Sequence, residues 1–544
     1  MNAENTPVLI VGAGPVGLSL ANELGWRKIP HIVVDEADGQ VRFPAGENIF
    51  SRTMEHLRRW GLSQALRNGD AFPPDRPRNI GFATRLWGWP LALFEGSSNR
   101  GAADRNSPEG GLFYPRKAFD PALRGSAEAF GADLRYGCRL IFFDQDEGGV
   151  SCLIEDVNRG VRQTIRAGYV AACDGARSMV RKQLGVRLVG AFGEGANFAV
   201  YFRCPGLAAR LDRMFGAPMA QVHTICDETR AYLTSVDGAD EWRLSMYADL
   251  SNLPAPAEVV SRTIGADLPF EVFKAQPWTG HRVVAERYRV GRVFLAGDAA
   301  HLRWPKGGFG ANTGIGDAVD LGWKLEAVLQ GWAGDGLLDS YQAERRPIAV
   351  RNTNEAANNR VFDTMIQSNP LLDRDDQTGV ESRMRMKEEL IALRLREFVT
   401  PGIQLGYRYR DSPVCIDDGT LEPPDDHMLY HPSTWPGCRA PHIWLADGSS
   451  TLDLFGRGFV LVTSGAEVDS GRFQEVADDM SIPLAHHHLP GREAVDAYER
   501  ALVLVRPDGH VCWRGDAVPH DIESLLATVT GRATAAGCRL ESGT

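Results

Sequence analysis

The short apolar run Val8-Leu9-Ile10-Val11 leads straight into Gly12-Ala13-Gly14-Pro15-Val16-Gly17, and Leu18 to Leu24 behind it has the apolar spacing of a helix. A strand, a G-x-G-x-x-G turn and a helix in that order leave few options for a fold. The glycines let the chain reverse tightly, and the helix start keeps its amides free for a pyrophosphate. A second run, Ile32-Val33-Val34, ends at Asp35 with Glu36 beside it, and either acid stands where an adenosine ribose needs an acceptor. A glycine turn alone can be purely structural. The strand before, the helix after and the strand-end acid together predict a dinucleotide-binding α/β sheet.

A second constraint lies far down the chain. Val293-Phe294-Leu295-Ala296 runs into Gly297-Asp298-Ala299-Ala300-His301, followed by Trp304, Pro305 and Gly307-Gly308-Phe309-Gly310-Ala311-Asn312-Thr313-Gly314. An apolar strand ending in Gly-Asp puts a carboxylate at the mouth of the sheet, where it can accept hydrogen bonds from the hydroxyls of a flavin ribityl chain. The glycines behind it, Gly308 and Gly310 among them, let backbone amides come close to an anionic ring edge. Between the two motifs, Tyr169-Val170-Ala171-Ala172-Cys173-Asp174-Gly175-Ala176-Arg177-Ser178 reads as another strand-to-turn element running into a helix from Met179 to Leu184. Further helices are predicted over Asp317 to Leu329 and from Tyr341, with Pro347 early in the latter.

With 544 residues the chain exceeds one hydrophobic core, so two to four domains are expected. A formal charge of -11 without any lysine- or arginine-rich tract argues against a nucleic-acid partner. There is no basic leader followed by a cleavage pattern and no apolar stretch long enough for a bilayer, so a cytoplasmic protein without membrane contact is the expectation. The 9 cysteines are scattered without a Cys-x-x-Cys, which predicts reduced thiols rather than a disulfide framework or a metal centre. Residues 190 to 285 alternate apolar and polar positions, as in Phe198-Ala199-Val200-Tyr201-Phe202 and Trp242-Arg243-Leu244-Ser245-Met246-Tyr247, which is sheet periodicity. Residues 370 to 440 are charged and then Pro/Asp-rich, predicting a helix and a connecting loop. From Ala440 onward come strands at Phe459 to Val462 and Ala501 to Val505, a helical stretch near 471 to 481, a hairpin turn at Arg506-Pro507-Asp508-Gly509-His510 with return strand Val511-Cys512-Trp513, and a final helix over 520 to 530.

Three motifs in this order, Gly12-x-Gly14-x-x-Gly17, Asp174-Gly175-Ala176-Arg177-Ser178 and Gly297-Asp298-Ala299-Ala300-His301, resemble the single-component FAD-dependent aromatic hydroxylases. Together with Ser51-Arg52-Thr53-Met54-Glu55-His56-Leu57-Arg58-Arg59-Trp60-Gly61-Leu62 and the Pro-Asp-Gly hairpin, they look most like the branch that holds phenol, 3-(3-hydroxyphenyl)propionate and polyketide hydroxylases. The resemblance implies an α/β architecture with a discontinuous Rossmann-like FAD-binding domain (1–75, 110–185 and 286–365) and a β-sheet substrate domain (76–109 and 186–285). A helical and loop connection (366–439) and a thioredoxin-like C-terminal domain (440–544) complete it. It implies tightly bound FAD, with Asp298 on the ribityl chain, Pro305 beside the isoalloxazine, and the amides around Gly310, Ala311 and Asn312 at its pyrimidine edge. Arg116 would touch the FAD phosphate or ribose. Asp174, Arg177 and Ser178 match an element linked to both FAD and NAD(P)H, and Arg42 or Arg52 would grip the nicotinamide phosphates. With a single dinucleotide fingerprint, NADH or NADPH would bind transiently over the flavin.

The implied reaction hydroxylates a phenolic ring through a flavin C4a-hydroperoxide, with a small aromatic substrate and O2 as partners. The alternative is Baeyer–Villiger insertion or epoxidation on a polyketide-like ketone or quinone. A phenol reacts best as its phenolate, so a base or a cation near the hydroxyl is expected. The candidates are His223, Tyr232, Arg243 and Tyr247, each of which has a bland reading as a half-buried strand residue or, for Arg243, a surface ion pair. His301 packs or caps in the flavin loop on its plainer reading, and Trp304 lines the pocket. Substrate specificity is placed in residues 190 to 285, and a homodimer stays open.

Overall fold

The computed structural model describes residues 4–41, 46–73, 76–96, 104–226, 230–265, 267–465, 468 and 470–533. Arg42 and Cys538 lie outside them. The N-terminal sheet is built on parallel strands in the order Val293–Leu295, Arg162–Ala172, Glu4–Val11, His31–Asp35 and Asp133–Tyr136. The segments 8–11, 32–34, 170–172 and Val293–Leu295 at its centre are buried apolar runs, as parallel strands covered on both faces must be. Their register is what makes a site. Val11 pairs with Val34 and Ala172, and Ala172 with Leu295, so Gly12, Asp35, Asp174 and Asp298 all leave the sheet at one edge. Stretches that are hundreds of residues apart are thereby set side by side at the carboxyl ends of the strands, where open α/β sheets bind ligands.

Gly12 shows why the turn needs glycine. Its φ is +103°, and a Cβ there would stand 2.3 Å from the Cys173 carbonyl oxygen. The helix Pro15–Trp26 follows, and Ala13 N donates to Asp35 Oδ2 at 2.6 Å, which ties the turn to the neighbouring strand end.

A seven-stranded sheet takes Ile80–Ala83 and Pro90–Phe94 together with strands between Ala196 and Thr279, and pairs antiparallel except where Gln221–Thr224 runs beside Ile80–Ala83. A small sheet of Leu188–Ala191, Arg282–Ala285 and His301–Leu302 links its connecting strands to the stretch after Asp298. The C-terminal region pairs Leu484–Leu489 parallel to Phe459–Ser464, then Leu502–Val505 and Val511–Gly515 antiparallel, with helices Gly471–Asp479 and Ile522–Val529. It shares a core with the first region: Trp323, Trp332 and Leu337 pack with Phe459, Leu461 and Leu525. Arg506, at its hairpin turn, is fully buried and donates to Glu344 at 2.6 Å and to Asp508 at 2.6 Å, while Asp508 is itself buried.

Two expectations are corrected and two elements are added. The helix predicted from Asp317 begins at Phe309 and runs to Leu329, because Gly308 adopts a left-handed φ of 78° that starts it and the Asn312 side chain ties its first turn to Gly308 O and Asn48 O. Pro347 sits well inside the helix Asp335–Met365 rather than early in it. An interior proline costs about 3 kcal/mol, and the buried flanking residues Tyr341, Glu344, Arg345 and Ile348 hold the helix regardless. The strand Leu484–Leu489, with its three consecutive histidines, and the helix Arg492–Tyr498 were not anticipated. Among the described residues the cysteines are free thiols, no cluster of metal-binding side chains occurs, and no helix is long and apolar enough to cross a membrane.

Candidate functional site

A cleft of ≈ 490 Å³ opens at the carboxyl edge of the parallel sheet, between it and the seven-stranded sheet. One wall is formed by Gly14, Arg116, Gly175, Asp298, Pro305, Gly308, Gly310 and Ala311. The facing wall is formed by Arg78, Gln221, Tyr232, Thr234 and Arg243, with Glu397 and Phe398 from the end of the helix Gln377–Phe398. A second cavity of ≈ 720 Å³ adjoins it. The two share Asn48, Arg78, Phe113 and Phe398, and the larger one is lined with apolar side chains such as Ile80, Leu93, Phe94 and Leu395.

The first wall has the features a flavin dinucleotide needs. Gly14, Gly175 and Gly310 line the cleft and have nothing within 4 Å of where a Cβ would point, so their backbones face open space. The first amides of the helix Phe309–Leu329 lie at the cleft and are free of intrahelical partners, as at any helix start. Asp298 is exposed there on a turn fixed from behind: the buried Asp317 accepts the Gly297 amide at 3.1 Å and a bond from His301 Nε2 at 2.7 Å. Burial would raise the Asp317 carboxyl, but His301 and Arg345 outweigh it and leave it below its ordinary value.

The remaining expected cofactor residues are placed as follows. Gly12 and Gly17 shape the turn from inside; a Cβ on Gly17 would sit 1.9 Å from Gly12 O. Asp35 closes that turn and Glu36 is exposed beside it. Arg116 reaches the cleft while its guanidinium contacts Asp120 at 2.5 Å. Asp174 Oδ2 accepts the Val180 amide at 3.1 Å, its Oδ1 is buried with no hydrogen-bond partner among the described residues, and burial pushes its pKa up. Ser178 caps the helix Met179–Gln183 and Arg177 is exposed. The Asn312 side chain is fully used by Phe50 N, Thr53, Asn48 O and Gly308 O, so only its backbone can face a ring.

Arg52 is a correction. Its guanidinium donates to Glu55 at 2.8 Å and to the Asp508 carbonyl at 2.6 Å, and it is buried against the C-terminal hairpin rather than turned to the cleft. It fastens that hairpin and does not grip a cofactor phosphate.

Of the four catalytic candidates, Tyr232 and Arg243 line the cleft and His223 and Tyr247 do not. The latter two border a small cavity of ≈ 80 Å³ behind the Tyr232 wall, together with Asp363 and Arg394. His223 is stacked on Phe82 at 4.6 Å between centroids, and burial followed by the nearby Arg394 holds it far below its ordinary value, hence neutral. Tyr247 donates to Asp363 at 2.5 Å, and burial raises its phenol further. Neither is positioned to act on a group in the cleft. Trp304 lines the cleft as expected and packs edge-on to Trp278.

Three contributors were missed. Lys306 is buried next to Pro305, with Nζ 3.0 Å from Asp363 and 4.7 Å from the centre of the Tyr232 ring. Arg78 reaches both cavities; burial is the main cause that lowers it to about 10. Glu397 belongs to a stretch read as a connection. Lys306 sits beside the glycines of 307–310, and no local pattern marks Lys306, Arg78 or Glu397.

A sheet edge presenting a Gly-Asp carboxylate, glycine-lined backbone and a helix start opposite a polar and cationic wall defines an FAD-dependent monooxygenase site, and the chain belongs to that family. Residues 5–356 match the family described as FAD binding domain, and residues 433–533 match the aromatic-ring hydroxylase C-terminal family. The chain is 33% identical to a 4-methyl-5-nitrocatechol 5-monooxygenase from Burkholderia sp, over 96% of each chain. Among solved structures it is similar to the rebeccamycin biosynthetic enzyme RebC with reduced flavin (TM-score 0.90, 37% identity, 98% of this chain and 100% of that one). It is also similar to the flavin-dependent monooxygenase PieE in complex with FAD and substrate (TM-score 0.87, 28% identity, 97% and 99%). The protein is therefore an enzyme that uses FAD, within a family of aromatic and polyketide hydroxylases.

Proposed function

We propose that the protein hydroxylates a phenolic aromatic ring, consuming NAD(P)H and O2. The observation that carries this reading is the pair of arginines on the wall facing Asp298: Arg78 and Arg243 line the cleft, and the Nε of each is buried with no hydrogen-bond partner among the described residues. A buried N–H donor without an acceptor is costly, and the cost is removed when an oxyanion enters. When bound, FAD supplies hydride acceptance from a nicotinamide and the activation of oxygen. Asp298, the Gly310 and Ala311 amides, Arg116 and the Gly12–Gly17 turn would hold it. Arg243 and Arg78 stabilise a phenolate, which lowers the pKa of the bound phenol without a histidine base. Glu397, in the same lining, takes the proton, and Thr234 and Gln221 orient the ring.

The adjoining cavity favours a substrate larger than one ring, held by Phe94, Phe113 and Leu395. Burial by Trp304 and Phe398 keeps water from the reacting ring. Specificity then extends past the sheet strands to 48–51, 93–96, 104–111 and 391–405. That size also keeps the polyketide ketone or quinone reading open as the second choice.

The nicotinamide binds transiently at the open side of the cleft. The C-terminal region acts as a thioredoxin-like brace without redox chemistry, a reading supported by its strand order and by free cysteines outside any Cys-x-x-Cys. The division of the chain into FAD, substrate, connecting and C-terminal segments is part of this reading; the parallel sheet and the seven-stranded sheet support it, and the small sheet of Leu188–Ala191, Arg282–Ala285 and His301–Leu302 joins the first two segments. The test is a panel of mono- and polycyclic phenols scored for stimulated NAD(P)H oxidation and hydroxylated product. No stimulation by any phenol, with flavin-loaded protein, sinks the proposal.

A further inference from the structure

The flavin-side wall contains a cation that the chemistry above does not use. Asp317, fully buried in the helix Phe309–Leu329, accepts from Arg345 Nε at 2.9 Å through Oδ1 and from His301 Nε2 at 2.7 Å through Oδ2. With Nε2–H given to Asp317, His301 has its Nδ1 lone pair free to accept, and what it meets there is Arg303 Nη2. This assignment follows from the partners on either side. It agrees with a neutral ring, since burial and then the Arg303 charge hold His301 below its ordinary value. The other terminal nitrogen, Arg303 Nη1, donates to Phe309 O at 3.0 Å. Arg303 Nε is buried and has no hydrogen-bond partner among the described residues.

The guanidinium is thus clamped from two sides and lies in the cleft lining with Asp298, Pro305 and Gly310. Its place is electrostatically odd. Burial weakens its charge more than the nearby Asp298 and Asp317 support it, and the free amides of the helix start add partial positive charge beside it, so further negative charge arriving there is favoured. Lys306 differs, because its charge is spent on Asp363. Arg78 and Arg243 stand on the opposite wall.

We propose that Arg303 is an electrostatic control on the bound flavin: it stabilises the reduced form over the oxidised one, and His301 and Asp317 are the positioning residues that aim it. The proposal rests on the FAD site read above. The balance is simple: hydride from a reduced nicotinamide delivers two electrons and one proton, the nicotinamide leaves as its oxidised cation, and the flavin gains one negative charge at neutral pH. A fixed cation and the helix-start amides on the same wall favour the side that carries that charge.

The experiment is the midpoint potential of the holoprotein, measured by equilibration with reference dyes in the absence of substrate, for wild type, Arg303→Met, Arg303→Lys and His301→Asn. The dissociation constant of oxidised FAD is measured alongside. Arg303→Met is expected to lower the equilibrium constant for flavin reduction about 10-fold, which for a two-electron couple is ~30 mV. Arg303→Lys is expected to recover part of the shift, and His301→Asn to give a smaller shift of the same sign, with oxidised FAD bound within about threefold of wild type. An unchanged potential in Arg303→Met overturns the assignment. Should that variant not retain FAD, an unchanged potential in both Arg303→Lys and His301→Asn does so instead. Failure of the wild type to bind FAD would overturn the flavin site itself, a result distinct from either.

Discussion

Asp363 holds three elements together, and replacing it by asparagine has a calculable outcome. Its carboxylate accepts Lys306 Nζ at 3.0 Å and Tyr247 Oη at 2.5 Å, and it also meets Arg394. The Lys306 side chain is 5% exposed and that of Asp363 15%, so the pair is screened little by solvent. At 3.0 Å and an effective dielectric of about 20, the Coulomb attraction is roughly 5–6 kcal/mol. Arg394 keeps Glu397 at 2.5 Å after the change, whereas Lys306 is left with no ion pair among the described residues. Removing one partner of a buried pair typically costs about 3–5 kcal/mol. For a cooperative unit of ordinary size this lowers the apparent unfolding temperature by on the order of 10 °C. The cycle completes with Lys306→Met and the double variant, read by thermal shift at matched scan rates because unfolding of a chain this size need not be reversible. The double variant is expected to regain about 2 kcal/mol over Asp363→Asn alone, since the orphaned cation is gone. Strict additivity of the two single changes would refute the pairing.

Two glycines of one turn separate fold from cofactor binding. Gly12→Ala meets the Cys173 carbonyl and a left-handed φ, so soluble protein should be lost, whereas Gly14→Ala, with φ -76° and open space, should keep wild-type thermal stability and show weakened FAD binding by titration. Arg243→Met is expected to reduce kcat/KM for the phenolic substrate by about 10²–10³, with flavin content unchanged. Acid sensitivity should appear at the C-terminal hairpin. Burial would raise Glu344, but Arg506 and Lys324 outweigh it and depress its pKa below the ordinary value. A depressed carboxylate gives stability that is complete above its unfolded pKa of about 4.3 and is lost as pH falls below it. With the folded pKa depressed to about 2, the apparent unfolding temperature should therefore drop between about pH 5 and pH 2, and less steeply in Glu344→Gln.

Features whose cause is local were legible in the sequence. Gly12, Gly14, Asp35 and Asp298 announce themselves because each answers a demand of its own strand end, and their register in one sheet then brings them together. The start of the helix at Phe309 was hidden, since a stretch with Gly310, Gly314 and Gly316 has poor helix propensity and is held by Asn312 bonds to a strand elsewhere. Lys306 and Arg506 carry no role legible in the sequence, and Arg52 takes a different one from that expected, for the same reason: their partners Asp363, Glu344 and Asp508 lie far along the chain. His223 and Tyr247 were read as catalytic because strand alternation gives a face but not what lies behind it. The sheet turns Tyr232 and Arg243 to the cleft and packs the other two against Asp363 and Phe82.

The central claim is oxygen transfer to a phenolic ring at the cleft between Asp298 and Arg243. The most direct measurement is mass spectrometry of the product formed by the FAD-loaded enzyme with NAD(P)H, an accepted phenol and isotopically labelled O2. One labelled oxygen atom is expected on a ring carbon of the product, with product formed and NAD(P)H consumed in near-equal amounts, and loss of both in Arg243→Met. A product labelled from water, or labelled oxygen inserted into a ring to give a lactone, would contradict it.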